Sequence, residues 1–290
     1  MSWVDSPKLV HVRPYLKIMR LNSLTGAFLL LWPCLWSISL AAKDGFPVVL
    51  ALMFIVGAFV MRSAGCVIND IVDRKIDAKV KRTKGRPLAN GTMKLHEAFA
   101  LLILLLSMGG AILFNLNDTA IILGIVIVVP IFIYPLMKRV TYWPQVFLAL
   151  TFNWGAIIGW AAVRDSISIE AVLLYVACIF WTLAYDTIYA HQDKEDDAMM
   201  GMKSTALKFG ANTKKYLYIF YAAMVAILWV VGIRMGSGFL FHLFLFAGAI
   251  QLFWQVYTLH IDKADSCMEK FRSNRYFGAI IFLAFVLGNV

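Results

Sequence analysis

Charge is what this chain lacks. Only 15% of its 290 residues are Asp, Glu, Lys or Arg, against roughly 25% in a typical soluble protein. Apolar residues make up 61%. That balance excludes a disordered chain and a cytosolic enzyme. Cysteine is scarce as well. Cys34, Cys66, Cys178 and Cys267 lie far apart, form no C-x-x-C, and the first three sit in apolar stretches, so they read as reduced and structural. The five histidines are scattered without an H-E-x-x-H, which argues against zinc. The first twenty residues carry Asp5, Pro7, Pro14 and several bases but no apolar core, and resemble neither a signal nor a transit peptide. Alternation of apolar and polar residues, the mark of a membrane β-barrel, is missing too.

Long apolar runs are what remains. A spanning helix needs about 20 mostly apolar residues. Candidates fall at 22–42, 47–68, 95–116, 119–137, 143–163, 168–187, 214–234, 238–258 and 276–290. They fill the chain and leave no room for an extramembrane domain. Residues 1–290 therefore read as a single domain, an all-α integral membrane protein of nine transmembrane helices.

The net charge of +10 would suggest nucleic acid in a soluble chain. Here the bases are one-sided. Of the 27 Lys and Arg, all except Lys43, Arg164 and Arg234 fall on the N-terminal tail, on the segments after the even-numbered helices, or at adjoining helix ends. Lys and Arg are retained on the cytoplasmic side, so the tail and those segments are expected there. The expected partner is the lipid bilayer rather than nucleic acid, in a bacterial inner membrane, and no obligate protein partner is evident.

The acids are lopsided in the same direction. Asp70, Asp73 and Asp77 close the second helix, and Asp186, Asp193, Asp196 and Asp197 close the sixth. Bases trail each cluster, a weak two-fold internal repeat. Asn69, Asp73 and Asp77 are spaced i, i+4, i+8, and each step of four advances only about 40° around a helix and ~6 Å along it, so the three share one face. Asp70 lies at its edge. Asp186, Asp193 and Asp197 share a face as well, provided their helix continues. Stacked carboxylates repel, and ionisable groups at a membrane are costly and usually functional. A cation would offset the repulsion. The donors Asn69, Asp70, Asp73, Asp77, Asp186, Asp193 and Asp197 are all oxygen, which suits Mg²⁺ or Mn²⁺. With Lys and Arg around them, the two clusters suggest a metal-bridged diphosphate. The bland alternative is a solvated, mixed-charge loop that serves only topology.

At these residues the chain resembles a known family. Asn69-Asp70-Ile71-Val72-Asp73-Arg74-Lys75-Ile76-Asp77, followed by K-R-T-K-G-R-P-L at 81–88, is similar to the N-D-x-x-D-x-x-x-D signature of UbiA-type membrane prenyltransferases. The stretch from Tyr185 through Asp197 to Thr205 resembles that family's second aspartate motif, in its 4-hydroxybenzoate polyprenyltransferase branch. Tyr134-Pro135-Leu136-Met137-Lys138-Arg139 with Thr141–Gln145, and the opening Arg20–Gly26, resemble the same branch, although Asn22-Ser23-Leu24 departs from the Asp-Arg-Pro often found there. The resemblance covers nearly the whole chain.

The resemblance implies nine helices around a central cavity, with both aspartate motifs cytoplasmic and Mg²⁺ as cofactor. It implies transfer of a polyprenyl chain from polyprenyl diphosphate to the ring carbon ortho to the hydroxyl of 4-hydroxybenzoate, an early step of ubiquinone synthesis. Expected catalytic residues are Asp73, Asp77, Asp193 and Arg139. Expected substrate-binding residues are Arg20, Asn22, Arg74, Lys81, Arg86, Tyr134, Lys138, Arg139, Tyr189 and Lys203.

Each has a plainer reading. Lys138 and Arg139 could be topogenic bases, and Arg20 and Asn22 a snorkelling base and a cap at the start of helix one. Asn153 could bond across helices or reach substrate. Gly155-x-x-x-Gly159 and Gly232-x-x-x-Gly236 read as close helix packing. Homogentisate, a naphthoate, haem or a chlorophyllide could replace the acceptor, because the first motif does not discriminate. A cation transporter is the rival from another class, but its acids would lie near the bilayer midplane.

Overall fold

In the computed structural model, which describes residues 3–42, 45–80 and 83–288, every described element is helical. In chain order they are α1 (Arg13–Ile18), α2 (Thr25–Ala41), α3 (Val48–Asp77), α4 (Leu95–Leu113), α5 (Asp118–Val126), α6 (Val128–Ile133), α7 (Met137–Val140), α8 (Pro144–Phe152), α9 (Gly155–Arg164), α10 (Ile169–Ala190), α11 (Lys194–Met199), α12 (Thr205–Phe209), α13 (Thr213–Met235), α14 (Phe239–Thr258) and α15 (Ala264–Gly288). Short 3₁₀ turns join several of them. Helix is the expected outcome, because a chain in lipid must satisfy its backbone within each segment.

All nine apolar runs are helical over most of their described length. Among the described residues, seven helical stretches are long and apolar enough to cross a bilayer, and α2 is a shorter apolar helix of 17 residues. The ninth run begins earlier than its hydropathy indicates, since α15 starts at Ala264. Two runs are interrupted. The stretch Asp118–Val140 is segmented around Pro130 and Pro135, which lack the N–H a helix needs. The run 143–163 breaks at Asn153 and Trp154, between α8 and α9.

The helices group into two units, Met1–Phe28 with Ile55–Leu116, and Leu29–Phe54 with Asn117–Val290. In the first, α3 dominates. Its 30 residues extend about 45 Å at 1.5 Å per residue, against a hydrocarbon core of ~30 Å. The helix therefore carries its acidic last turns beyond the apolar stretch without a break. Ser63 donates to the Phe59 carbonyl at 2.8 Å, and Phe28 and Phe59 meet edge to face at 6.0 Å. A side chain at Gly26 would collide with the Arg62 guanidinium, so glycine there allows the close approach. The loop back to α4 is pinned by Thr83, whose hydroxyl donates to the Asp77 carbonyl at 3.0 Å. It ends where the Lys94 N–H donates to the Glu97 carboxylate at 2.6 Å, starting α4.

In the second unit α10 is the most enclosed helix. Ala171, Ala177 and Ala184 let its neighbours close in, while Trp181 fills the centre against Trp36 and Phe277. Lipid offers no hydrophobic drive for helices to associate, so small residues and buried hydrogen bonds must do it. Gly155 and Gly159 of α9 lie directly against Cys34 and Ser37 of α2, as their spacing predicts. Gly232 packs on Phe241, whereas Gly236 (φ 67°) closes α13 in the left-handed conformation. Asn153 donates to the Thr182 hydroxyl on α10 at 2.7 Å, and Thr182 to the Tyr185 hydroxyl at 3.0 Å. Asn153 thus bonds across helices. A second buried chain runs from Trp181 to Asn274 (2.8 Å) and from Asn274 to Gln255 (3.0 Å). All four cysteines are buried and unbridged.

Candidate active site

The first acidic cluster lies at the end of α3, in the first unit. Because the helix is continuous from Val48 to Asp77, Asn69, Asp73 and Asp77 share a face as the spacing requires. Asp70, Asp73 and Asp77 are all buried. Two arginines offset the burial of Asp70 and Asp77. Arg20 reaches Asp70 Oδ1 with Nη2 at 2.6 Å, and Arg86 Nη1 bridges Asp70 Oδ1 at 3.1 Å and Asp77 Oδ2 at 2.7 Å. The result is an alternating ladder, Arg20–Asp70–Arg86–Asp77. Removing one partner of such a buried pair is strongly destabilising, because the other charge is stranded.

Arg20 is not where the sequence puts it. It lies in the turn between α1 and α2 rather than at the start of a membrane helix, and its φ is 57°. A non-glycine residue adopts that left-handed conformation at a steric cost. Here the turn aims the guanidinium back at α3, with Nη1 also donating to the Lys17 carbonyl at 2.9 Å. Asn22 is exposed on the same turn, with helix resuming only at Thr25. Arg74 donates to the Ile71 carbonyl of its own helix at 3.4 Å. Lys81 lies outside the described residues.

The second cluster, in the other unit, corrects an expectation. α10 does not continue through it: the helix stops at Ala190, and α11 begins only at Lys194. Asp186, Asp193 and Asp197 therefore do not lie along one helical face. His191 stands at the C-cap of α10. It is buried, its Nε2 bonds the Thr213 hydroxyl at 2.9 Å, and burial pushes its pKa down to about 4. The imidazole is thus neutral at pH 7 and packs as an ordinary core group. Asp193 precedes α11, and its carbonyl accepts from the Asp197 N–H at 2.7 Å. Gly201 (φ 67°) then reverses the chain toward Lys203.

The basic loop meets this return segment. Lys138 is half-buried and Arg139 exposed, both on the four-residue α7, just after Tyr134 in its 3₁₀ turn. The Lys203 N–H donates to the Lys138 carbonyl at 2.8 Å, and Lys203 Nζ to the Val140 carbonyl at 3.0 Å. Tyr189 packs on Phe271, ring centres 4.7 Å apart. The sequence signals pointed to charged residues and passed over the neutral polar ones beside them. Gln145, Thr187 and Thr205 are buried at this junction, and their only signal was membership of the quoted motifs.

Among the described residues no three acidic, histidine or cysteine side chains converge as ligands of one ion. Mg²⁺ does not need such a cage, since it keeps several waters and shares one or two carboxylates with a substrate phosphate. Asp70 fits that chemistry: its Oδ2 is buried and without a hydrogen-bond partner among the described residues, a hard oxygen donor held in place by arginines on Oδ1.

Comparison with known proteins agrees with these motifs. The profile of the UbiA prenyltransferase family matches residues 30–286. A curated protein of Arabidopsis thaliana, described as a mitochondrial 4-hydroxybenzoate polyprenyltransferase, is 48% identical over 290 residues, covering 99% of this chain and 71% of its own. The Homo sapiens protein of the same description is 47% identical over 282 residues, covering 96% of this chain and 76% of its own. Among solved structures, the apo UbiA homologue of Aeropyrum pernix K1 superposes with a TM-score of 0.77 at 22% identity, over 91% of this chain and 98% of that one. A UbiA homologue of Archaeoglobus fulgidus, described as bound to GPP and Mg²⁺, gives 0.73 at 17% identity, over 95% and 99%.

Proposed function

The chain belongs to the UbiA prenyltransferase family, and on that premise we propose that it transfers a polyprenyl group from polyprenyl diphosphate to 4-hydroxybenzoate. The new bond forms at the ring carbon ortho to the hydroxyl, an early step of ubiquinone synthesis. The observation that carries this reading is identity of 47–48% over nearly the whole chain to proteins described by that activity. The residues supply matching chemistry.

The allylic C–O bond breaks, diphosphate leaves, a C–C bond forms and the ring gives up a proton. Negative charge grows on the diphosphate, and oriented positive groups aimed at developing charge are usually the largest catalytic term. We assign that task to Arg20, Arg74, Lys81, Arg86 and Lys203. A guanidinium with five N–H donors can hold a carboxylate and still face a phosphate. Asn69, Asp70, Asp73 and Asp77, and Asp186, Asp193 and Asp197, are the residues that would hold Mg²⁺, which would supply further positive charge to the leaving diphosphate. The Archaeoglobus homologue described with GPP and Mg²⁺ supports a divalent metal as cofactor. Asp73, Asp77 and Asp193 are the acids on which turnover depends most. Arg139 binds the benzoate carboxylate, and Lys138, Tyr134, Tyr189 and Asn22 line the substrate sites.

The chain is a multi-pass membrane protein. We further read it as nine spans around a central cavity, the N-terminus and both aspartate motifs cytoplasmic, in a bacterial inner membrane. The base asymmetry supports that orientation. The curated relatives are described as mitochondrial, so an inner membrane of either origin suits the reading. The test is product mass spectrometry of purified protein with Mg²⁺, 4-hydroxybenzoate and diphosphates of several chain lengths. Prenylated 4-hydroxybenzoate is the expected product. Turnover of homogentisate or a naphthoate in its place would overturn the acceptor.

A further inference from the structure

Lys138 and Arg139 sit on α7, four residues long. It is the last turn of the helical stretch Asp118–Val140, set off from α6 by the 3₁₀ turn at Tyr134–Leu136, where Pro135 removes a helical hydrogen bond. Contacts from outside the stretch brace this turn. The Lys203 N–H and Nζ donate to the Lys138 and Val140 carbonyls at 2.8 and 3.0 Å. Two residues on, the Thr205 N–H donates to Gln145 Oε1 at 3.1 Å. The Thr205 hydroxyl lies 2.7 Å from that of Thr187 on α10.

The direction of these bonds can be derived. Thr187 gives its only hydroxyl proton to the Leu183 carbonyl at 2.6 Å, so Thr205 must be the donor to Thr187. A backbone N–H can only donate, so Gln145 must turn its oxygen toward Thr205. Its amide is presented by Pro144 at the first position of α8, where the fixed proline φ suits a helix start. Gln145, Thr187 and Thr205 are all buried, and in a low-dielectric interior a satisfied network holds one geometry.

We infer that Gln145 and Thr205 are positioning residues: through the 203–205 segment they fix the basic loop, and Arg139 with it, to the end of α10 that bears the second acidic cluster. The inference rests on Arg139 acting as the acceptor anchor. Neither residue need touch a substrate. Thr187 adjoins Asp186, and Thr205 lies eight residues past Asp197, so one three-way junction sets the separation of acid cluster and base. Proximity gains are steep, and a misplacement of about 1 Å can cost on the order of 100-fold.

The test compares Gln145→Leu and Thr205→Val with Thr205→Ser, which keeps the hydroxyl. Two readouts are needed on the purified full chain. Hydrogen exchange at Lys203 and Thr205, whose amides make the tether, and over the braced residues 137–145 requires no substrate. It should rise in Gln145→Leu and Thr205→Val and stay at the wild-type level in Thr205→Ser. Steady-state kinetics should show the acceptor KM up about tenfold or more in the first two variants and the diphosphate KM up by less, as loss of alignment rather than of fold predicts. Lys203 alone of the phosphate-facing bases belongs to the loosened segment. Combined with Arg139→Ala, Gln145→Leu should add less than about twofold, because residues acting through one group are not additive.

Unchanged exchange in Gln145→Leu would overturn the inference, as would an effect that multiplies in full with that of Arg139→Ala. If exchange rises as expected but no protein, wild type included, prenylates 4-hydroxybenzoate, the assigned acceptor has failed and the tether stands.

Discussion

Arg20 and Asp70, fifty residues apart in sequence, meet through a 2.6 Å ion pair, with Arg20 at φ 57° and the Asp70 side chain only 1% exposed. A turn outside the spanning helices thereby reaches the first acidic motif. Asp70 shares its Oδ1 with Arg86 as well, so the pairing is a ladder and not an isolated bridge. The arrangement explains how two of the three buried carboxylates, Asp70 and Asp77, are tolerated at the end of α3.

The ladder makes a stability prediction. Arg20→Ala should lower the heat-denaturation midpoint of the detergent-solubilised protein, because stranding a buried charge costs about 3–5 kcal/mol when nothing else holds it. Arg86 remains in this case, so the loss should fall at or below the lower end. Asp70→Asn in the same chain should cancel much of the loss, since no charge is then stranded. A double variant as unstable as the sum of the two singles would show that Arg20 and Asp70 are not coupled.

Metal dependence divides the two clusters. Activity should vanish with a chelator and return with Mg²⁺. Asp73→Asn and Asp193→Asn each replace a hard anionic oxygen by a neutral amide of the same shape, so turnover should fall by orders of magnitude while the protein still folds. Near-normal rates for Asp193→Asn at limiting Mg²⁺ would remove the second cluster from the metal site.

Orientation can be read by thiol labelling. Cysteines placed at Lys79 and Met199, both exposed, should resist an impermeant reagent applied to the outer face of intact cells and react once the membrane is opened. The four native cysteines are buried, which keeps the background low. Efficient labelling from outside would reverse the topology.

How much of this was legible in the sequence depends on what determined each feature. Hydropathy located the helical runs because it measures what lipid selects. It missed the true start of α15, whose first turns are polar yet bury Cys267 and Lys270, since burial among neighbouring helices leaves no apolar signature there. The i, i+4, i+8 register of Asn69, Asp73 and Asp77 held because α3 runs unbroken. The same arithmetic failed for Asp186, Asp193 and Asp197, where the chain turns at His191. His191, the first residue past the helix, is held against Thr213, a tertiary contact that periodicity cannot report. Arg20 was picked out by its charge, but its left-handed turn was not, because only its partner on α3 gives the conformation a reason.

The last prediction concerns the acceptor. 4-Hydroxybenzoate is a small planar anion whose ring must face the allylic carbon at about 3–3.5 Å. A guanidinium can engage both carboxylate oxygens and so fix the ring's rotation, whereas a lysine offers a point charge. Arg139 stands on a loop braced by Lys203 through the Lys138 and Val140 carbonyls, which supplies the rigidity such a fork requires. Arg139→Ala should raise the acceptor KM and lower kcat, with the diphosphate KM little changed. Arg139→Lys should recover part of the KM but little of the kcat, because charge is restored and alignment is not. Kinetics run separately against each substrate decide the matter. If the diphosphate KM rises instead and the benzoate KM stays flat, Arg139 belongs with the phosphate-binding bases. The carboxylate anchor is then sought at Arg20, whose guanidinium is already fixed by Asp70 and the Lys17 carbonyl.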